Sequence, residues 1–299
     1  MAMTEEEVRA AKGFGVPEES APARRKEPGL QRALTILVFG APKVGKSSLA
    51  VSGPEPRCVF DVEGSARFLP VNAIEWNPAS EEPPELDGTW DTAVIPTIDW
   101  SVAEAGKRWL QSGRHPFKSV AIDSVSELQQ RRIEHVAGRE QMTQQNWGDV
   151  FRTVSGFIRD MRDLTMHPTR PIESVTMTAM ARQIDGMWKP WCQGQLQSVL
   201  PYLLDVTAYI WVEQTGTREA PEETRKILTR RTSQFEAGER VQGRIPAVVE
   251  LVKRPPDTPS DDVVRLLDMV FPSTAAGPLT AVPSVPLPVE ETIASESEE

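Results

Sequence analysis

Short apolar runs alternate with helical patterns through the middle of this chain. Runs rich in β-branched residues predict strands at 34–39 (LTILVF), 57–61 (RCVFD), 118–123 (KSVAID), 173–178 (ESVTMT) and 207–212 (TAYIWV). Between them, steps of three and four residues predict helices. The longest starts near Asn146 and places Trp147, Val150, Phe151, Val154, Ile158 and Met161 on one face. Shorter helices are expected after Gly45 and after Ser124. A closing helix over 260–271 has Ser260 as its candidate cap. Near-continuous apolar strands alternating with helices argue for an α/β domain whose mostly parallel sheet is covered on both faces.

The pattern fades at both ends. Residues 1–30 include VPEESAPARRKEPG and read as a flexible arm, while residues 273–299 are Pro-rich, then acidic, and read as a disordered tail. One domain over 31–272 remains. Charge is spread unevenly. Of the net −10, the arm carries −1 and residues 272–299 carry −5. The rest is close to balance, with a local excess at 224–244, where six basic residues face two acidic ones. A polyanion partner would therefore meet a local patch rather than the whole surface. The Glu-rich tail competes with such a partner, recruits another, or only confers solubility.

No apolar run approaches the roughly 18–20 residues of a membrane span, and the charged N-terminus lacks the apolar segment of a secretion signal. Cys58 and Cys192 form no CxxC, and His115, His135 and His167 have no metal-ligand spacing. These features fit a reduced, cytosolic protein.

The most specific chemistry lies in GAPKVGKS, Gly40 to Ser47, which matches G-x-x-x-x-G-K-[ST] in full. A predicted strand precedes it and a predicted helix follows it. In such a loop, backbone amides of Gly40, Ala41, Pro42, Lys43, Val44, Gly45, Lys46, Ser47 and Ser48 surround phosphates, Pro42 lending only its shape. Lys46 would reach the β- and γ-phosphates, and the Ser47 hydroxyl would bind Mg²⁺. The bland alternative is a chance glycine turn. Asp123 ends the apolar run SVAID and is placed to hold Mg²⁺ with Ser47, to cap the helix that follows, or to do both from the same strand–helix corner.

In CVFDVEGSARFL, two carboxylates, Asp61 and Glu63, close an apolar run seventeen residues after Lys46. On an extended strand they leave from one face. Ligands in open parallel sheets gather outside the carboxyl ends of strands, so Glu63 is expected to face the γ-phosphate and polarise the attacking water. Asp61 would lie deeper and support Glu63 or the metal shell. Alternatively, DVEG is only an acidic turn.

These segments resemble RecA-type ATPases: CVFDVEGSARFL their catalytic-glutamate segment, and AIDSVSEL their Walker B strand. Taken with GAPKVGKSSLA and LPYLLDVTAYI, they are similar to the phage RecA-like P-loop ATPases of the Sak-four group, within the phage AAA ATPases, over residues 33–250. The resemblance implies a RecA-like P-loop NTPase core, ATP and Mg²⁺ as cofactors, and homo-oligomers with ATP at subunit interfaces. It also implies single-stranded DNA as the activating ligand, an SSB-like or annealing protein as a further partner, and the cytoplasm of a bacterial host.

Two positions depart from the pattern. In AGERVQGRIP, Arg240 matches an interface arginine that acts in trans, but Gly238 stands where a lysine is expected. Arg240 equally suits a solvated hairpin. After VTMTAMARQI, Met180 occupies the place of a polar γ-phosphate sensor, with Arg182 and Gln183 behind it.

The segment 181–195, ARQIDGMWKPWCQGQ, mixes Arg182 and Lys189 with Trp188 and Trp191. Aromatics stack on bases and cations meet phosphates, and in the family the loop after this strand binds DNA. Packing or an oligomer contact would explain both tryptophans as well. Arg225, Lys226, Arg230 and Arg231 would extend the basic track or form a solvated face. The expected activity is a DNA-stimulated ATPase that promotes annealing or recombination. The rivals are a P-loop motor or loader for replication or packaging, and an ATP-gated scaffold with little hydrolysis.

Overall fold

The strand with the phosphate loop, β1 (Leu34–Gly40), is buried along its whole length. Its two faces alternate between separate cores. Leu37 and Phe39 join one apolar cluster, and Leu34, Ile36 and Val38 join another. The computed structural model describes residues 31–138, 140–217, 220–252 and 258–272. The expected arm (1–30) and tail (273–299) lie outside the described residues.

After β1 come α1 (Lys46–Ala50), β2 (Arg57–Asp61), β3 (Ala73–Glu75), β4 (Thr92–Pro96), α2 (Trp100–Gln111) and β5 (Ser119–Asp123). Next are α3 (Val125–Ala137), α4 (Gln144–Asp163), β6 (Ser174–Ile184), β7 (Met187–Trp191), α5 (Leu196–Leu203) and β8 (Val206–Thr217). The chain continues through β9 (Ala220–Leu228), β10 (Gly238–Glu239), β11 (Val248–Glu250) and α6 (Asp262–Val270).

The main strand order is β11-β9-β8-β1-β6-β5-β2-β4-β3, with β10 beside β8 and β7 beside β6. Strands β8, β1, β6, β5, β2, β4 and β3 are mutually parallel; β7, β9 and β10 run against them, and β11, antiparallel to β9, points the same way as the parallel set. This is the expected α/β architecture, a mostly parallel sheet flanked by helices. Residues from α2, α3, α4 and α5 bury against one face, while α1 and α6 cover the other. Among the described residues no helix is long and apolar enough to cross a membrane.

Helix ends follow local chemistry. Helix α4 begins at Gln144, two residues before the expected start, because the Thr143 side chain accepts from the Asn146 amide and caps it. Helix α6 is shorter than expected. Ser260 does not act as its N-cap: its hydroxyl lies 2.5 Å from Asp262 Oδ2 and accepts from the Asp262 amide, so the helix starts at Asp262. Strand β6 outruns its predicted end by six residues, since its last turns leave the parallel sheet and pair with β7. Both cysteines are buried free thiols whose pKa burial pushes up, Cys192 to about 12, so both stay protonated.

His115 is buried at the rim of the larger core and stacks on Phe117, with ring centroids 5.7 Å apart. Burial lowers its pKa from 6.5 to about 4; positive charge at Arg170 and His167 acts the same way, and a backbone group of Leu110 opposes it. The folded state thus binds fewer protons than the unfolded one in this window. Stability is expected to fall as pH drops from about 6.5 to about 4, by at most about 3 kcal/mol. His115→Leu should flatten that slope in urea melts at pH 7 and pH 5; an unchanged slope would rule His115 out as the titrating group.

Candidate active site

Strands β1, β5 and β2 end on one edge of the sheet, and β6 lies between the first two. That order brings Gly40, Asp123 and Asp61 to the same edge, where the loops carry the chemistry. The loop from Gly40 to Gly45 folds tightly. A Cβ on Gly40 would lie 2.5 Å from the carbonyl oxygen of Ile210 on β8, so only glycine fits that approach. Gly45 adopts φ 96° as α1 begins, a left-handed conformation that disfavours side chains.

Lys46 folds over the loop and donates to the carbonyls of Ala41 (2.7 Å) and Gly40 (3.1 Å). Burial lowers its pKa, while the carboxylates of Glu63 and Asp123 act in the opposite sense. The ammonium therefore sits in the field of both acids. Asp123 is 3% exposed, and its carboxylate accepts from Ser65 Oγ (2.6 Å) and Thr178 Oγ1 (2.5 Å). Ser65 Oγ is also 3.4 Å from Ser47 Oγ. Ser47 and Asp123, the two expected metal residues, thus meet across one hydroxyl. The alternative for Asp123, a helix cap, does not hold: Ser124 caps α3, its hydroxyl accepting from the Glu127 amide.

Glu63 is an exposed residue whose carboxylate accepts a short hydrogen bond from Ser124 Oγ. The amides of Val62 and Glu63 both donate to the Asp123 carbonyl, at 2.8 and 3.3 Å. Strand β2 ends at Asp61, so Asp61 and Glu63 do not share a strand face as expected. Asp61 also has a different role. Its carboxylate accepts from the amides of Ser65 (2.9 Å) and Ala66 (3.1 Å), capping the short 3₁₀ turn Ala66–Phe68. Burial raises its pKa, the Ala66 and Ser65 amides lower it, and Asp123 adds to the rise. With both oxygens committed to the turn, Asp61 shapes the loop that presents Ser65.

Other expected residues lie elsewhere. Arg240 follows β10, which pairs with Val206 and Thr207 at the start of β8, level with Ile36 and Leu37 of β1. That is about 10–13 Å down the strands from Gly40. The Arg240 side chain donates to the Tyr202 carbonyl, and Gly238 lies in the same short strand. The fold does not bring Arg240 to its own chain's loop.

Residues 181–195 form not a loop but mainly a two-stranded ribbon of β6 and β7, turned by Asp185 and Gly186, both with positive φ. Arg182 pairs with Lys189 and Met180 with Trp191, all on one face, and the Arg182 guanidinium lies 4.2 Å from the Trp191 ring centre. Trp188 occupies the other face. It packs on the larger core, and its backbone bonds to Gln234 and Glu236. The basic track of β9 is likewise broken. Lys226 is buried in an ion pair with Glu213, Arg225 lies against Gly45, and Arg230 and Arg231 are exposed beyond the strand's far end.

Sequence reasoning missed Ser65, Ser124 and Thr178 as site residues, and it read Arg225 as part of a basic track or a solvated face rather than as a neighbour of the phosphate loop. The serines carried one faint signal, as neighbours of Glu63 and Asp123. Thr178 carried none and Arg225 only its charge, because strand pairing alone brings them to this edge.

The arrangement fits Mg²⁺ and a nucleoside triphosphate. The loop leaves no room for side chains at Gly40 and Gly45, its lysine lies over loop carbonyls, and Ser47 and Asp123 supply oxygen donors of the kind Mg²⁺ takes. Among the described residues no cluster of three or more His, Cys, Asp or Glu side chains forms a separate metal site. No curated protein matches the chain. The AAA domain family matches residues 32–241, more than two thirds of the chain, and covers every element from β1 to β10. With its phosphate loop, Asp123 and Glu63 on one sheet edge, this chain belongs to the AAA domain family, whose members are nucleotide-binding ATPases.

Proposed function

We propose that this ATPase couples hydrolysis to single-stranded DNA and acts in annealing or recombination. One observation carries the reading: a short polar path joins Glu63 to the β6–β7 ribbon. Glu63 is bonded to Ser124 at the head of α3. Two residues on, Ser126 Oγ donates to the Trp191 carbonyl (2.6 Å) and accepts from the Met180 amide (3.0 Å), clamping both ribbon strands. Gln129 adds two bonds to the Gln193 backbone, at 2.6 and 3.0 Å. The ribbon face with Arg182, Lys189 and Trp191 offers cations for a phosphate backbone and a ring for base stacking, worth about 1–3 kcal/mol per base.

Each residue then has a physical task. Lys46 neutralises phosphate charge, while Ser47 and Asp123 hold the metal shell, with Ser65 and Thr178 orienting Asp123. The bound Mg²⁺ would neutralise charge on the phosphates. Glu63 takes up the proton of the attacking water with the oxygen that Ser124 leaves free. Arg240 lies too far from its own loop to serve it, so in a homo-oligomer it acts on a neighbour's nucleotide.

ATP turnover with and without oligo-dT, on protein of measured oligomeric mass, tests the proposal. Stimulation by DNA that vanishes in Arg182→Ala/Lys189→Ala supports it; turnover blind to DNA at low salt refutes it. In a binding assay, oligo-dT should quench tryptophan fluorescence in a salt-dependent way, less so in Trp191→Phe. Quenching unchanged by Trp191→Phe would remove that ring from the interface.

A second reading has its own observation. Met180, 42% exposed, places no polar side chain at the position expected to read the γ-phosphate. An ATP-gated scaffold would bind ATP tightly and show almost no turnover with or without DNA.

A further inference from the structure

The cradle has a cation besides Lys46, supplied from a distant part of the chain. Strand β9 is antiparallel to β8, and Arg225 pairs with Val212, two residues beyond Ile210, the partner of Gly40. Arg225 therefore stands level with the phosphate loop. Its side chain shares a face with Ile227, which packs in the α1 cluster. It reaches the loop itself: an ideal Cβ on Gly45 would lie 2.5 Å from one terminal guanidinium nitrogen and 3.0 Å from Cδ.

Arg225 is half-buried there. Its neighbour Lys226, on the opposite face, is neutralised by Glu213. For Arg225, by contrast, no side-chain hydrogen bond or ion pair is found among the described residues. Only its carbonyl is engaged, accepting from Leu251. A half-buried guanidinium without a protein anion beside it calls for an anion from outside.

We propose that Arg225 is a nucleotide-binding residue acting in cis on the phosphate chain of the same protomer's nucleotide. This rests on the nucleotide-site reading above. Backbone amides of such loops face the α- and β-phosphates. An arginine beside Gly45 therefore meets a group that ATP and ADP share. It strengthens binding of both and leaves the chemical step to Glu63. In this it differs from Arg240, whose contribution requires a second copy and concerns hydrolysis.

The test is titration of full-length protein with a fluorescent ADP analogue and with ATP in Mg²⁺, for wild type, Arg225→Met and Arg225→Lys. Arg225→Met keeps much of the apolar stem and should weaken both nucleotides by a similar factor, roughly 10- to 100-fold. Arg225→Lys should recover part of the loss. Under saturating ATP, kcat should stay near wild type while KM rises. Circular dichroism and melting of the ligand-free proteins establish that each variant folds; if Arg225→Met does not, the lysine variant and the salt dependence of wild-type ADP binding carry the test. Equal affinity in wild type and variants would overturn the proposal. Tighter binding in Arg225→Met would also overturn it, since the arginine would then obstruct the site. If wild type binds neither nucleotide, the nucleotide-site reading itself fails, a result distinct from either.

Discussion

Glu63→Gln is expected to lower ATP turnover by about 10²–10⁴-fold, the usual scale for loss of a general base. Nucleotide affinity should remain close to wild type, because the Glu63 carboxylate is bonded to Ser124 and Glu63 meets Asp123 only through its backbone amide, which the substitution keeps. The replacement is mild for the fold. Glutamine keeps an oxygen that accepts from Ser124 Oγ, so the head of α3 and its cap on Glu127 persist. What disappears is the proton acceptor. Single-turnover hydrolysis beside equilibrium binding separates the two effects. Turnover within a few-fold of wild type would remove Glu63 from the chemistry and leave it as the turn residue its neighbours also suit.

Lys46→Ala is expected to abolish measurable nucleotide binding. The ammonium lies over the loop in the field of Glu63 and Asp123, and a triphosphate brought to that edge without it would face both carboxylates unscreened. Thermal shift provides the readout. Mg-ADP at a hundred times its Kd stabilises a binding protein by about 2.7 kcal/mol, so wild type should melt higher with ligand and the variant should not move. The ligand-free variant must be compared first, since the loop carbonyls of Gly40 and Ala41 lose a donor, which costs on the order of 1 kcal/mol. An undiminished ligand shift in Lys46→Ala would place the nucleotide elsewhere.

Much of the site was legible because its parts are contiguous. The eight residues GAPKVGKS carry their own geometry: glycines where β8 and a left-handed turn demand them, and a lysine where the helix opens. Asp123 stood out as a candidate because an acid ends an apolar run there, and the fold sets it on the same sheet edge as the loop. The five predicted strands are all present, since buried parallel strands read as apolar runs. Strand β4 escaped because TAVIP is short and follows a stretch rich in Pro and acidic residues. Helix α2 escaped because Gly106 interrupts its propensity, although Asp99 caps it. Strand β9, APEETRKIL, has charged residues in adjacent pairs through its middle and no period-two apolar pattern, so it resembled a solvated face.

The site's supporting residues were hidden for a different reason. Thr178 reaches Asp123 across 55 positions, and Ser124 reaches Glu63 across 61. Such pairs exist only through strand register, and a slip of one residue turns every side chain to the other face. The same parity separated Trp188 from Trp191. Composition placed both rings beside Arg182 and Lys189, but pairing at Gln183 and Met180 sends them to opposite sides. It also divided Arg225 from Lys226: one meets the phosphate loop and the other a glutamate.

Local order along the chain is thus sufficient for the phosphate loop, the acid that ends β5 and the α/β class, because each rests on neighbours within a single turn or strand. Which cations face the site, which hydroxyls orient its acids and which ring faces outward depend on pairings between segments far apart in sequence. Short-range preferences do not encode those pairings; they are settled when the apolar faces of β1, β6, β8 and β9 are buried together in one register.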